Sequence, residues 1–332
     1  MDLCCQLHSH SSYSFKDGLA RPEKLVARAA ELGQPGIGIT EHGHVYSAPV
    51  FFTACKEAGI KGVIGMEAYE AVPYTWDPDP TGPHHAMFKV KHDPNKPKYH
   101  HLTLWAMNQT GWENLCAIHT KSFSAGYKPK NQPLVDRATL EQHHEGLIIG
   151  LGCRQSRTNW TLAHRGYEAA VQAAEWYFDV AAGRVYVEVM SGLPEQVRAL
   201  DSQRRLARHF GASTLGVNDV HYLRQSDGVL GGPHHMLVMA RKFKSTATET
   251  EATIDQSDDA FGAWYGSDQF YLKNRQEMIQ SGIFADEVDR TLEVLDRVDF
   301  DFKAMPEPAP PTAHVPQSGK DPDFDAYVAA HT

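Results

Sequence analysis

Two short pairs of residues stand out by type and spacing: His8 with His10, and Asp219 with His221. In extended chain, residues i and i+2 point to the same face, so each pair can grip one ion. Five further side chains of the same chemistry stand at or beside apolar runs. They are Asp17, His42 in Thr40-Glu41-His42-Gly43, Glu67 in Gly65-Met66-Glu67, His101, and Cys153 in Gly150-Leu151-Gly152-Cys153. So many donors exceed the needs of one ion and suit about two or three. Imidazoles with carboxylates and one thiolate favour Zn, Mn or Fe over Mg or Ca. The chemistry open to such a cluster is metal-assisted hydrolysis. A lone His-x-His is weak evidence, and a lone Cys after a strand is more often a small buried hydrophobe. The weight rests on recurrence of the pattern along the chain.

Other histidines fit the pattern less well. The doublets His84-His85, His143-His144 and His234-His235 read as solvated side chains in loops or at helix edges. His100 adjoins His101, and only one of them should face inward. Glu41 beside His42 is either an acceptor that orients a ligand or a solvated carboxylate.

Positioning these groups requires strands that end at one place. The chain reads as strand–helix alternation. Strands are expected at 3–8, 36–40, 63–69, 102–107, 146–151, 184–189 and 213–217, with helices at 22–33, 48–58, 110–119, 166–181, 194–210 and 286–298. Repeated strand–helix units predict a parallel sheet with helices outside, and about seven of them favour a closed barrel. In a parallel barrel the strand C-termini share one end, where the active site sits. His101 is the exception, because it precedes its strand. Residues 72–99 read as a surface loop, 243–267 as a polar excursion and 306–316 as a Pro-rich linker.

The bulk properties agree. Of 332 residues, 42% are hydrophobic and 22% charged, as in ordinary globular chains. No membrane span or secretory signal is legible. Five cysteines without regular spacing argue against a disulfide framework and for a reducing cytoplasm. A net charge of −9 argues against gripping nucleic acid through a basic surface. It does not exclude a nuclease, since bound divalent ions invert the local sign.

The run LHSHSSYSFKDGLARPEKLVARAAELGQPGIGITEHGHVYSA resembles the opening of the PHP domain of bacterial DNA polymerase III alpha subunits. IGMEAYEA, HHLTLWAMNQTGWENL, EGLIIGLGC, GVNDVHYL and DQFYLKNRQEMI continue the resemblance in order, from about residue 3 to 302. The resemblance implies an α/β fold, a PHP-type distorted (β/α)7 barrel. The domain would span residues 1–302, with a Pro-rich linker or tail over 303–332. It also implies a trinuclear metal site whose ligands, carried onto this sequence, are His8, His10, Asp17, His42, Glu67, His101, Cys153, Asp219 and His221. All nine types are present. Family members that act only as scaffolds have lost some of them, so the full set favours catalysis. Glu41 stands where the family usually has Asp. The polymerase carboxylates are not present in this sequence, so the chain resembles a separately encoded or excised N-terminal part of such a polymerase.

The function expected from the resemblance is a metal-dependent 3′–5′ exonuclease that proofreads DNA. Its partners would be a DNA 3′ end and a separate polypeptide carrying the polymerase core. One alternative is a PHP phosphatase of histidinol phosphate or nucleotides. Another is a non-catalytic module that docks and stabilises a polymerase.

Overall fold

Strand–helix alternation governs the computed structural model, which describes residues 3–72, 99–124, 133–246 and 266–300. Helix α1 (Pro22–Glu31) opens on a proline, whose missing N–H is harmless at a helix start, and buries Leu25, Val26 and Ala29. Strand β1 (Gly36–His42), helix α2 (Ala48–Ala58) and strand β2 (Lys61–Ala71) follow. Next come β3 (Tyr99–Ala106), α3 (Gln109–Ser124), β4 (Leu134–Val135), α4 (Arg137–His143) and β5 (Leu147–Gly150). Then come α5 (Arg157–Arg165), α6 (Tyr167–Val180), β6 (Val185–Val189), α7 (Pro194–His209) and β7 (Ser213–Gly216). Helices α8 (Pro233–Thr246), α9 (Arg275–Gln280) and α10 (Ala285–Arg297) complete the described α-helices. The sequence reading lacked β4, α4, α5, α8 and α9. Strand β4 has 2 residues and α9 has 6, too few for a periodicity to register. The surface loop expected at 72–99, most of the excursion at 243–267 and the linker and tail at 303–332 lie outside the described residues.

The strands form one mixed sheet in the order β1-β2-β3-β5-β6-β7, with β4 paired to β2. Pairs β1/β2, β5/β6 and β6/β7 are parallel, whereas β3 is antiparallel to both β2 and β5. This corrects the all-parallel expectation. Parallel neighbours joined in sequence need a crossover, usually a helix, and the stretch between β2 and β3 has no helical pattern in its sequence. The reversal also resolves the position of His101. The N-terminal end of β3 lies at the C-terminal end of β2, where Tyr69 pairs with His101 and Glu67 with Thr103.

The first described residues curl this sheet toward closure. They form no regular ladder, but they lie between β1 and the chain after β7. Gly38 N donates to Gln6 O at 2.8 Å and Thr40 N to Ser9 O at 2.8 Å. On the other side His10 N donates to Val220 O at 2.7 Å and Val220 N to His8 O at 3.0 Å. A Cβ on Gly38 would sit 2.3 Å from Leu7 O and 2.7 Å from Leu7 Cα, so only glycine admits the approach. The result is a distorted α/β barrel.

Leu7, Val63, Trp105, Ile148, Tyr186 and Leu215 pack together within it, and α10 adds Val294 and Leu295. Trp105 Nε1 donates to the Leu7 carbonyl at 2.9 Å, tying β3 to the closing segment. Buried Arg204 on α7 grips Glu287 on α10 through two 2.8 Å bonds. Such a bidentate pair is the geometry that a buried charge requires. Among the described residues no helix is long and apolar enough to cross a membrane.

Candidate metal centre

The barrel brings all nine expected side chains to one end. His8 and His10 come from the closing segment. Asp219 Oδ1 lies 3.3 Å from His10 Nε2 and 3.8 Å from His8 Nε2. His42, at the end of β1, places Nε2 3.1 Å from Asp17 Oδ1 and Nδ1 2.7 Å from Glu67 Oε2. His101 Nδ1 lies 2.9 Å from Glu67 Oε1 and 3.3 Å from Cys153 Sγ. His221 stacks on His10 at 4.6 Å between ring centroids, and His10 on His42 at 4.1 Å. His221 Nε2 is 3.8 Å from Asp17 Oδ1. Three groupings have mutual donor distances within 4.8 Å: His8/His10/Asp219, His10/His42/His221 and Glu67/His101/Cys153.

A second layer holds these groups. Glu188, in the middle of β6, is fully buried. His8 Nδ1 donates to Glu188 Oε1 at 2.9 Å, and Thr103 Oγ1 donates to Oε2 at 2.9 Å. The sequence reading missed Glu188. Its signal was a single carboxylate inside the strand Val185-Tyr186-Val187-Glu188-Val189, since a buried charge must be paired. Glu41 is buried too, which removes the solvated alternative. It accepts from Ser11 N at 3.1 Å and from the hydroxyls of Ser11 and Ser14. Ser14 Oγ in turn meets His10 Nδ1 at 3.1 Å and accepts from His42 N at 3.2 Å. Glu41 therefore steers His10 through Ser14.

His234 corrects the reading of its doublet as solvated. It is buried, and its Nε2 donates to the Asp17 carbonyl at 3.0 Å, where it supports the loop that carries Asp17. His143 bonds Asn114 and His144 accepts from Arg184, both away from the centre. His84 and His85 lie outside the described residues. His100 faces away from His101 on the strand and meets the Gln155 carbonyl.

The electrostatics are those of a site built for cations. Burial pushes the His10 imidazole down to about 3, and neighbouring His42 and His221 add to the shift, so its Nε2 keeps a lone pair. Burial opposes ionisation of Glu67, but His101, His42 and His8 hold its carboxyl well below the usual range. Burial also opposes ionisation of Asp219, and His221, His10 and His8 override it. Burial, with Glu67 and Asp219 nearby, pushes the Cys153 thiol well up. His8 Nε2, His10 Nε2 and Asp219 Oδ1 are buried without a hydrogen-bond partner. Buried polar atoms without partners are costly, and three aimed at one place fit a divalent ion.

Two substitutions test the arrangement. Glu188→Gln is expected to weaken metal binding about 10- to 100-fold, because an amide cannot accept from both His8 and Thr103. Competition against a chromogenic chelator reads this, and unchanged affinity would show that Glu188 does not position His8. Cys153→Ser is expected to weaken metal binding more than Cys55→Ser or Cys116→Ser. Cys55 lies in α2 and Cys116 in α3, and among the described residues neither belongs to a cluster of donors. Equal behaviour of the three variants would remove the thiolate from the site.

Comparison with known proteins places this geometry in context. Residues 6–192 match the family model of the PHP domain. DNA polymerase III subunit alpha of Deinococcus radiodurans is 29% identical over 287 residues, covering 83% of this chain and 20% of that protein. DNA polymerase III subunit alpha of Mycobacterium tuberculosis (strain H37Rv) is 30% identical over 304 residues, covering 88% of this chain and 24% of that protein. The chain thus spans about a fifth to a quarter of the length of these curated relatives. A Bifidobacterium adolescentis protein, described as a candidate metal-dependent phosphoesterase, superposes with a TM-score of 0.39 at 16% identity, covering 65% of this chain and 87% of that one.

Proposed function

This chain belongs to the PHP domain family, and on that premise we propose that it is a metal-dependent phosphoesterase, acting as a 3′–5′ exonuclease that proofreads DNA. The observation that carries this reading is the convergence of nine donors, with buried atoms of His8, His10 and Asp219 among those without a hydrogen-bond partner. The ligands proposed are His8, His10, Asp17, His42, Glu67, His101, Cys153, Asp219 and His221, for two or three ions of Zn, Mn or Fe. Residues 1–302 are proposed as the PHP domain and 303–332 as a linker or tail, in a cytoplasmic protein.

When bound, divalent ions supply Lewis-acid stabilisation of a phosphodiester and lower the pKa of the attacking water. The chain's residues supply position. Glu188 engages His8 through Nδ1, which leaves Nε2 turned into the site. Ser14 does the same for His10. A ligand whose second nitrogen is fixed loses little orientational freedom on binding. The burial of His8, His10 and Glu67 excludes bulk water from that side of the centre.

A polymerase core on a separate polypeptide is the proposed partner. Relatives of this chain are DNA polymerase III alpha subunits, and a chain whose 41 Asp and Glu outnumber its 32 Lys and Arg has no net positive charge with which to grip a duplex.

The test is hydrolysis by protein loaded with Mn or Zn, using 5′-labelled single-stranded DNA, a mismatched primer–template and histidinol phosphate. Stepwise shortening from the 3′ end of the DNA is expected. Release of phosphate from histidinol phosphate alone would make the chain a small-molecule phosphatase. Full metal content with no hydrolysis, and co-purification with a polymerase from the native source, would make it a docking module.

A further inference from the structure

The mouth of the metal centre is defined by its least buried members. The side chains of Asp17, Asp219 and His42 are 19%, 17% and 14% exposed, while those of His8 and His10 are wholly buried. Two loops frame that opening, and both carry exposed aromatic rings. Tyr13 and Phe15, on the loop between His10 and Asp17, are 38% and 77% exposed. Tyr46, just beyond His42, is 56% exposed. His44 Nε2 donates to the Tyr13 carbonyl at 3.0 Å, which clasps the two loops together. The His44 and Tyr46 rings stack at 4.8 Å with an interplanar angle of 19°. Tyr46 then meets His119 edge-on at 5.0 Å, and His119 meets Phe123 at 4.9 Å. His119 and Phe123 share one face of α3, being four residues apart.

Scattered exposed rings are ordinary, but a contiguous series beside a catalytic-type centre is not. His44, Tyr46, His119 and Phe123 pack against one another at fixed angles, and the Tyr13 backbone is tied to them through His44, so they form a preorganised surface. We propose that this strip is a stacking track for the unpaired bases of a single nucleic-acid strand whose terminal phosphodiester lies at the metal centre. The proposal rests on the phosphoesterase reading and names the form of its substrate. Stacking is also the binding contribution left to a chain of net charge −9, which gains little from phosphate contacts. Every base has a π-face, so such a track tolerates any sequence. Tyr46, His119 and Phe123 form a compact group, with the Tyr46 and Phe123 centroids 6.3 Å apart, which gives room for roughly two bases at the ~3.4 Å rise of stacked nucleotides.

The test uses the full chain loaded with Mn and fluorescent phosphorothioate 12-mers, which resist hydrolysis. One strand is all thymidine and the other has the same backbone without bases. Wild-type protein is expected to bind the thymidine strand at least about tenfold more tightly, since one stacked base is worth roughly that factor. The Phe15→Ala, Tyr46→Ala double variant should bring the ratio to about one, and Tyr46→Phe should preserve it. Equal wild-type affinity for both strands, or a ratio unchanged in the double variant, would overturn the track. Cleavage of ordinary DNA with equal affinities would leave the hydrolytic reading standing and assign the patch to a protein partner. A base-dependent ratio in protein that hydrolyses no phosphodiester would support the track and sink the hydrolytic reading.

Discussion

Asp219→Asn is expected to reduce hydrolysis by about two orders of magnitude or more while the chain stays folded. Asp219 Oδ1 stands among three imidazole nitrogens, 3.3 Å from His10 Nε2, 3.8 Å from His8 Nε2 and 3.4 Å from His221 Nδ1. The surrounding imidazoles hold its carboxyl below the usual range, so it is an anion at neutral pH. Asparagine keeps the shape and removes that charge, which an ion at this position would need for neutralisation. Circular dichroism should be unchanged, and metal content should fall with activity. Undiminished hydrolysis across a Mn titration would show that Asp219 is not a ligand.

Gly152→Ala is expected to destabilise the chain and disturb the centre together. An added Cβ would lie 2.0 Å from Glu188 Cβ and 2.6 Å from Glu188 O. Those atoms belong to β6, which Leu151 N joins through Tyr186 O at 2.9 Å, so neither strand can retreat cheaply. Overpacking of this kind costs up to about 3 kcal/mol or somewhat more. A loss of that size lowers the unfolding midpoint by roughly 5 °C in a domain of about 300 residues. The displacement would also move Glu188 away from His8 and shift Cys153, the next residue. Gly192→Ala is the control, because the atoms nearest its methyl would be those of the Phe270 ring and the Gln196 side chain, at 3.2–3.3 Å. Equal melting of both variants would show that the approach at Gly152 is not limiting.

Much of the site was legible because its chemistry is carried by distinctive residue types. His-x-His and Asp-x-His need no alignment to be seen, and placing them at strand ends predicts convergence before any coordinates. The elements with strong periodicity, such as α1, α7 and α10, were legible for the same reason: one face is apolar and the other is not. Strand β4 and helix α9 escaped because so few residues carry no period.

What the sequence determined by itself was the candidate donor residues and the strand–helix alternation, both properties of residue type and local spacing. The tertiary structure decided three things that spacing does not encode. It reversed β3, so that His101 meets Glu67 and Cys153, because strand direction depends on how the connections cross. It placed Glu188 behind His8, because a carboxylate in an apolar strand announces a partner without naming it. It buried His234 against the Asp17 carbonyl and Glu41 against Ser14, because solvation or burial of a polar side chain is settled by what packs over it. His8 and Glu188 are separated by 180 positions, and only the curled sheet makes them neighbours.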